Sequence, residues 1–404
     1  MHHMIEYSFN SDSGSSSSSD SGSDSGSDSG SGSEGSLSSD NSEIIEEIEN
    51  KYVGEILNNK YLIIKYIGKG TFSKVFLVYN LINDKFFALK MLSEEYREEG
   101  LHETKIYRIL NSDKNSKIVE YIDTFEHERC ICLVTEFMGI ALIDALDTFE
   151  EPPRTLILSS IIDTLKGLHE LHKSKIIHGD LKLENIMLST MTTNTQKYIE
   201  WFNSINIQEY RQKFYETKKH IKTSLQKKFN LYIQDIFKTH LSNRKIELVE
   251  SNINGNACEN DTFSISNITH SKIIDLGNAE YLESELGSGY IHIRNYRSPE
   301  NFKYKIYNEK LDIWTLGCLI LEMLSGTQFY DLNGEDYIED FNTIEKSINN
   351  FSETFDRHLQ DVKFKNNEEY RMFYNLVKNM LNVNYKERWS ALNCINFLNT
   401  NINN

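Results

Sequence analysis

Apolar residues cluster in three short runs in the first quarter of the chain, at 61–67, 75–79 and 87–89. The runs are rich in β-branched and aromatic residues and are separated by turn-forming segments, a pattern typical of strands. Beyond them the spacing of apolar positions changes to three and four, which predicts a helix over 102–110. The pattern therefore predicts a small sheet followed by one helix.

The densest apolar run, 313–324, is too long for a typical strand and predicts a buried helix. It contains Glu322 and is too short to span a bilayer, so we expect no membrane segment.

A long segment in the middle of the chain has a different texture. Residues 206–245 carry apolar side chains spaced mostly three or four apart, with lysines between them, which predicts an amphipathic helix or a pair of helices. Residues 251–268, rich in Asn, Ser and Asp, predict a loop. The helical part either docks on the rest of the protein or binds a partner, and the sequence leaves both open. Basic residues exceed acidic ones only slightly over 191–270, so we expect no direct nucleic-acid binding.

One short stretch, residues 178–185, carries most of the chemistry: it reads His-Gly-Asp-Leu-Lys-Leu-Glu-Asn. Phosphoryl transfer needs a carboxylate to orient the attacking hydroxyl, a cation to neutralise the phosphoryl charge and oxygen ligands for magnesium. Asp180, Lys182 and Asn185 can fill these roles, together with Asp275 in a later Asp-Leu-Gly segment. The spacing predicts a catalytic loop and its metal-binding partner.

Features upstream fit the same chemistry. Gly68 and Gly70 stand at the tip of the predicted hairpin, where glycine lets backbone amides approach phosphates closely. Lys90 ends the third apolar run, as expected for a lysine that holds phosphates. Glu103, thirteen positions later, is our choice as its ion-pair partner, with Glu98 and Glu99 as the alternatives. A surface lysine and a solvated helix face are the simpler readings of these residues.

Two further segments follow in the expected order. Residues 296–300, Tyr-Arg-Ser-Pro-Glu, stand where an activation segment ends, and 311–317 begin the apolar helix behind it. Arg388 lies at the distance from the C-terminus expected for a partner of Glu300. Each feature alone has a purely structural reading, but six in the correct order favour one functional interpretation.

With these motifs in place, residues 61–190 and 271–400 resemble a eukaryotic-type protein kinase catalytic domain. The resemblance implies an α+β bilobal fold with a β-rich N-lobe and a mainly helical C-lobe. Its parts are an acidic, Ser/Gly/Asp-rich and disordered tail at 1–50, the N-lobe at 61–138, the C-lobe at 139–190 and 271–400, and a spacer-like helical insert at 191–270.

Within that superfamily the chain resembles the SR-protein kinases most. Asp-Leu-Gly-Asn-Ala at 275–279 and Arg-Asn-Tyr-Arg-Ser at 294–298 are similar to their motifs, as is the start of a C-lobe insert at 334–344. The 191–270 insert also interrupts the domain where that family carries its spacer. The Clk-type and dual-specificity kinases share the arginine-bracketed 294–298 segment.

The resemblance implies ATP and Mg²⁺ as cofactors and a role for each matched residue. Asp180 would be the catalytic base, Lys182 would contact phosphate, and Asn185 and Asp275 would hold magnesium, with Thr135 as the gatekeeper. The residues implied in ATP binding are Ile67, Gly68, Gly70, Ser73, Val75, Ala88, Lys90, Glu103, Glu136 and Met138.

Two residues depart from the family pattern. Gly179 stands where many kinases have an arginine that receives a phosphorylated activation loop. Ile293 occupies the position of a threonine whose hydroxyl usually bonds the catalytic aspartate and lysine, and isoleucine has no such donor. These departures keep open the alternative of a pseudokinase that binds nucleotide or partners without catalysis.

Composition gives predictions about the N-terminal tail, the cellular location and the source of the protein. The formal net charge is −17, and residues 1–50, without a single Lys or Arg, supply 11 of these charges; a solvated tail, a phosphorylated tail and a tail that holds basic partners all remain open. Five scattered cysteines suggest reduced thiols, so we expect an intracellular protein of the cytoplasm or nucleus, of a host cell or virion if it is viral. Abundant Asn, Ile and Lys with 3 prolines suggest an AT-rich genome, such as that of a large DNA virus or a protist.

We expect a monomer that acts on a protein substrate. The resemblance favours Arg/Ser-rich segments, which carboxylates attract. The acidic residues considered for this role are Glu335, Asp336, Glu339 and Asp340.

Overall fold

A six-stranded antiparallel sheet forms the first part of the molecule. The computed structural model describes residues 39–70, 72–110, 115–217, 225–253, 262–332 and 337–402. The sheet strands are β1 (Ile56–Leu57), β2 (Tyr61–Gly70), β3 (Ser73–Asn80), β4 (Lys85–Leu92), β5 (Tyr121–His127) and β6 (Cys130–Glu136). They lie in the order β1-β2-β3-β4-β6-β5. The predicted hairpin is the β2–β3 pair, and the predicted third strand is β4.

The helix predicted after the third strand packs on this sheet. Helix α2 (Arg97–Leu110) follows β4 and buries a face that includes Glu103, Ile106 and Tyr107. The predicted helix is confirmed, but its apolar face is not: of the three apolar residues on which the spacing rested, Ile106 is buried, Leu110 is partly buried and Ile109 is 43% exposed.

The second part of the molecule is mainly helical. Its helices are α3 (Leu142–Leu146), α4 (Arg154–Lys173), α8 (Pro299–Tyr304), α9 (Lys310–Ser325), α10 (Tyr337–Asn349), α11 (Phe351–His358), α12 (Asn367–Met380) and α13 (Ala391–Ile402). Its short strands are β7 (Ile176–Ile177), β8 (Ile186–Leu188), β9 (Ser271–Ile273), β10 (Glu280–Tyr281), β11 (Gly287–Ser288) and β12 (Ile306–Tyr307). Antiparallel pairs join β7 with β10, β8 with β9, and β11 with β12.

The predicted apolar helix is α9, and it is buried nearly all round. Trp314 and Leu316 are fully buried, and so is the charged Asp312. A helix that is apolar on every side belongs in the interior, and nine residues of α9, between Ile313 and Leu324, belong to the large core cluster. The sheet and this helical part are the N-lobe and C-lobe of a bilobal α+β fold, which confirms the predicted fold class.

The insert differs from its prediction. It contains three helices: α5 (Thr193–Ser204), α6 (Ile207–Thr217) and α7 (Leu225–Ile253). The spacing predicted one or two helices from 206 onward and missed α5, which begins with a side-chain cap: the Thr192 hydroxyl accepts a hydrogen bond from the Thr195 N–H. The predicted loop at 251–268 begins later than expected, because α7 extends to Ile253.

The boundary of the acidic tail was also wrong. Helix α1 (Ser39–Tyr52) occupies residues that we assigned to a disordered tail at 1–50, and its Ile48 is buried. Residues 47–404 form one compact unit, whereas the unit of residues 1–46 is described only from residue 39. The rest of the predicted tail lies outside the described residues.

Across the described ranges, no helix is both long and apolar enough to cross a membrane. The described cysteines, at 130, 132, 318 and 394, are all unpaired thiols.

Candidate active site

Three charged side chains meet where the two lobes face each other. Lys90 Nζ on β4 lies 2.8 Å from Glu103 Oε2 on α2 and 2.6 Å from Asp275 Oδ1, which follows β9. Glu103 is therefore the ion-pair partner of Lys90, as predicted. The two alternatives do not pair with Lys90. Glu99 is exposed, and the Glu98 carboxylate lies 4.0 Å from the Arg97 guanidinium instead.

Burial and charge act in opposite directions on this triad. Burial tends to lower the pKa of Lys90, but the negative charges of Glu103 and Asp275 more than reverse this and hold the pKa above its usual value. Burial likewise tends to raise the pKa of Asp275, and the charge of Lys90 leaves it below its usual value. The lysine thus stays cationic and Asp275 anionic, which are the states needed to hold phosphates and a cation.

The catalytic-loop residues converge nearby. Lys182 Nζ lies 3.4 Å from Asp180 Oδ2, and the Asn185 amide nitrogen donates to the Asp180 carbonyl at 2.8 Å. The Asn185 bond also sets the side-chain orientation, because its nitrogen is engaged and its oxygen remains as the ligand atom.

The buried carboxylate of Asp312 holds the 178–185 loop in place. It accepts hydrogen bonds from the backbone N–H groups of His178 and Gly179, at 3.0 and 3.3 Å. The imidazoles of His172 and His292 lie 2.8 and 3.2 Å from its two oxygens. Despite the opposing effect of burial, these bonds hold the pKa of Asp312 well below its usual range.

A local cause explains the departure at Gly179. Its φ is +77°, in the left-handed region, and a Cβ there would lie 2.4 Å from the Asn278 carbonyl oxygen. Glycine adopts this φ without strain and has no Cβ to clash with the carbonyl. Ile293, the other departure, packs its side chain partly buried against the C-lobe core.

Three of the predicted nucleotide-contacting residues lie at one end of the N-lobe sheet. Gly68, Gly70 and Ser73 form the end of the β2–β3 hairpin, with Gly68 opposite Val75 and Gly70 opposite Ser73. Gly68 leaves open space where a Cβ would stand, whereas a Cβ at Gly70 would lie 2.6 Å from the Ser73 hydroxyl.

Three further predicted nucleotide-contacting residues lie on strands of the same sheet. Val75 pairs with Lys90, and Ala88 pairs with Thr135 on the next strand. Ile67 is partly buried against the N-lobe core.

The segment that joins the lobes is held by a charged contact. The Glu136 carboxylate accepts from the buried ammonium of Lys272 at 2.5 Å and from the Glu120 N–H at 2.7 Å. Met138 is buried, and the next residue, Gly139, donates its N–H to the Leu188 carbonyl at 2.8 Å. The backbone of 136–139 is thereby fixed beside the cleft.

Farther from the cleft, Glu300 and Arg388 form the predicted pair. Two guanidinium nitrogens of Arg388 donate to the two Glu300 carboxylate oxygens at 2.7 Å each, and both side chains are buried. This bidentate contact ties the end of the activation segment to the far end of the C-lobe.

Comparison with known proteins agrees with this geometry. The model of the protein kinase domain family matches residues 61–222 and 262–397, well over half of the chain. The chain belongs to the protein kinase family.

Its relatives among curated proteins are distant. This kinase domain is 26% identical over 313 residues to the probable serine/threonine-protein kinase yakA of Dictyostelium discoideum, covering 74% of this chain and 16% of the relative. It is 26% identical over 297 residues to clkA of the same organism, with 70% and 27% covered, and 25% identical over 291 residues to the dual specificity protein kinase YAK1 of Saccharomyces cerevisiae, with 69% and 27% covered. The chain thus spans about a quarter or less of the length of these relatives.

A solved crystal structure of a kinase domain has the same fold. It superposes with a TM-score of 0.57 at 19% identity, covering 86% of this chain and 97% of the other.

Protein kinases generally use ATP with magnesium, and the residues of this kinase domain suit both. Asn185 offers an amide oxygen and Asp275 a carboxylate, which are the hard oxygen ligands that magnesium prefers. Within the described ranges no three His, Cys, Asp or Glu side chains cluster to hold a metal by themselves. Such sites normally complete the coordination with waters and substrate phosphates.

Sequence reasoning missed three contributors to the site. Asp312 was read only as part of an apolar helix, although a lone carboxylate in such a helix signals a buried partner. Nothing in the sequence pointed to Lys272 or Tyr96. The Tyr96 ring stacks on Phe72 in the turn of the β2–β3 hairpin, with ring centroids 4.0 Å apart.

One predicted site residue has another partner. Asp340 is buried and pairs with Arg294 at 2.5 Å, so it is not available to attract substrate arginines as we had expected. Glu335 and Asp336 lie outside the described residues, and Glu339 is exposed.

The buried His178 makes the stability of the kinase domain dependent on pH. Its Nδ1 accepts from the Asp180 N–H and its Nε2 donates to the Ile274 carbonyl, so the ring is neutral, and burial lowers its pKa. Below about pH 6.5, His178 is protonated in the unfolded chain but stays neutral in the folded chain. The stability that is present above that pH is therefore lost as the pH falls.

Urea unfolding between pH 7.5 and 5.5 measures this effect. Relative to the variant His178→Asn, the free energy of unfolding of the native protein should fall more steeply below pH 6.5, by up to about 1.4 kcal/mol per pH unit. Equal slopes for the two proteins would contradict the assignment.

Proposed function

We propose that this chain is a protein kinase that transfers the γ-phosphoryl group of ATP to Ser or Thr hydroxyls of protein substrates. The observation that supports this most is that the Lys90–Glu103–Asp275 triad adjoins the loop that bears Asp180, Lys182 and Asn185. The N–H of Ile274, next to Asp275, donates to the Asn185 carbonyl at 2.9 Å. Each charge required for phosphoryl transfer is present in one cleft.

Each residue has a distinct task in this proposal. Asp180 accepts the proton of the substrate hydroxyl and orients its oxygen toward the phosphorus. Lys182, beside Asp180, stabilises negative charge on the transferred group, and Lys90 holds the phosphates in line. Magnesium, held by Asn185 and Asp275, supplies further neutralisation of charge when bound.

We also propose that the substrate carries arginines near the target serine, which is what the predicted resemblance to the SR-protein kinases implies. Three carboxylates support this. Glu322 on α9 is half-buried, and burial together with the negative charges of exposed Glu184 and Asp147 raises its pKa. The Tyr296 hydroxyl donates a hydrogen bond to the Glu322 carboxylate at 2.7 Å. A guanidinium that approaches Glu184 and Glu322 would relieve their mutual repulsion.

These carboxylates lie close to the catalytic loop. Glu322 and Asp147 line a cavity of about 840 Å³ that also includes Leu183, the residue before Glu184. A substrate chain whose serine reaches Asp180 therefore passes within a few residues of them.

The variant Glu322→Gln tests the substrate proposal. It keeps the acceptor for Tyr296 and removes only the charge. We expect kcat/KM for an Arg-Ser repeat peptide to fall about fivefold, equivalent to roughly 1 kcal/mol, while that for casein stays unchanged.

Glu339→Gln is the matched control, because Glu339 is an exposed carboxylate of α10 in the acidic run considered first. It should leave both substrates unaffected. If kcat/KM falls more in Glu339→Gln than in Glu322→Gln, the substrate arginines bind at α10 instead. If kcat/KM for casein falls as much as that for the repeat peptide in Glu322→Gln, Glu322 does not confer a preference for arginine.

A further inference from the structure

The insert begins and ends at one place in the C-lobe. Strands β8 and β9 are antiparallel neighbours with Leu188 opposite Ser271, so a short turn would suffice to join them. Instead, residues 189–270 intervene. Both ends are anchored near this point: the Thr193 N–H donates to the Thr262 carbonyl at 2.6 Å, and the Ser189 N–H donates to the His270 carbonyl at 3.0 Å.

The body of the insert lies on the other lobe. Phe202 of α5 is 1% exposed, and its ring centroid is 5.0 Å from that of Tyr79 and 5.7 Å from that of Phe86, on β3 and β4. Behind it, Phe237 of α7 packs at 5.7 Å. The buried side chains that the insert adds to the N-lobe core are Phe202, Ile205, Ile207, Phe214, Phe229, Ile233 and Phe237.

Polar contacts fix the position of the insert on the sheet. The Tyr198 hydroxyl donates to the Ile64 carbonyl at 2.5 Å. The Arg211 guanidinium donates to both oxygens of Asp84, in the β3–β4 turn, at 2.5 and 3.3 Å. Directed bonds of this kind specify a register, which apolar packing alone does not.

The insert therefore connects the two lobes at a place separate from the 136–139 segment. We propose that the insert is an interlobe strap that restrains lobe opening and thereby slows the release of ADP. The proposal rests on the proposed kinase function, because it assumes nucleotide in the cleft. Bilobal enzymes release product by separating their lobes, and separation here must strain the 189–192 and 262–270 ends of the insert or break its contacts with the sheet.

A simpler role would be to cover an apolar sheet face. In that case, weakening the contact lowers stability but leaves lobe motion unchanged. A strap also changes the rate at which nucleotide leaves the cleft, although the contacts described above for Tyr198, Phe202 and Arg211 do not include Lys90, Asp180 or Asp275. The two roles are therefore separated by measuring ADP release under conditions in which every variant is folded.

The charge-pair swap is the central test, since Arg211 and Asp84 are both partly exposed. Dissociation of a fluorescent ADP analogue is timed for the full chain and for Arg211→Asp, Asp84→Arg and the double variant. We expect each single reversal to speed release about threefold to fivefold and the double swap to restore most of the native rate. Phe202→Ala should speed release about tenfold.

Leu231→Ala is the matched control, because Leu231 lies on the outer face of α7 and is 59% exposed. It should leave ADP release unchanged. The strap is refuted if the single reversals and Phe202→Ala lower thermal stability while ADP release stays within about twofold of the native rate, since opening would then be independent of the insert.

Hydrogen exchange without nucleotide separates failure of the strap from failure of the kinase proposal. Loosening the strap should speed exchange of the 136–139 amides, whereas loss of a mere cover speeds exchange only in the insert and in β2–β4. Absence of ADP binding by the native chain would overturn the kinase proposal, and the exchange at 136–139 would still decide the strap.

Discussion

Replacing Asp180 by asparagine is expected to slow phosphoryl transfer by about 10²- to 10⁴-fold while ATP binding stays unchanged. Asparagine has nearly the same shape but cannot accept the proton of the substrate hydroxyl. Its backbone contacts with His178 and Asn185 are kept, so the loop retains its form. The turnover number and the dissociation constant of ATP, measured on the same preparation, separate the two effects.

The neighbouring variant Glu184→Gln controls for general disturbance of the loop, because it also removes one negative charge from the same turn. With a peptide that lacks arginine it should turn over at the native rate. A loss of less than tenfold in Asp180→Asn would mean that Asp180 is not the catalytic base.

Breaking the Glu300–Arg388 pair should have the largest effect on stability. Arg388→Met leaves a buried, uncompensated carboxylate at Glu300 and is expected to lower the free energy of unfolding by about 3–5 kcal/mol. Arg388 also donates to the carbonyls of Asn382 and Lys310, at 3.0 and 3.1 Å, and these acceptors lose their partner as well. Urea unfolding monitored by circular dichroism measures the difference.

The double variant Glu300→Leu with Arg388→Met sharpens this test. Once both charges are gone, no uncompensated ion remains, so the double variant should be more stable than Arg388→Met alone. The alternative is that the losses of unfolding free energy caused by Glu300→Leu and by Arg388→Met simply add in the double variant. The destabilisation would then come from altered packing against Trp314, whose ring lies 5.1 Å from the guanidinium, and not from the buried charge.

The parts of the site that could be predicted from sequence are those in which chemistry fixes local spacing. The 178–185 segment works as one loop, so its residues are recognisable together. Lys90 and Glu103 could be paired because a strand and the following helix bring positions 13 apart into contact. Glu300 and Arg388 are 88 apart, and only the resemblance to the kinase family linked them.

The remainder depends on tertiary contacts that leave little trace in the sequence. The spacing of apolar residues indicated that the insert was helical but not that its partner was the N-lobe sheet. Asp340 looked like any exposed acidic residue until its pairing with Arg294 was seen. Gly179 looked like a lost arginine, whereas its positive φ and the nearby Asn278 carbonyl require glycine.

The most direct test of the kinase assignment is transfer of the labelled γ-phosphoryl group from ATP, with magnesium, to an Arg-Ser repeat peptide and to casein, with the sites mapped by mass spectrometry. We predict phosphoserine or phosphothreonine in the native reaction and none above background in Asp180→Asn. ATP binding without transfer to either substrate would contradict the assignment and leave a pseudokinase, in which the same cleft holds nucleotide but does not use it.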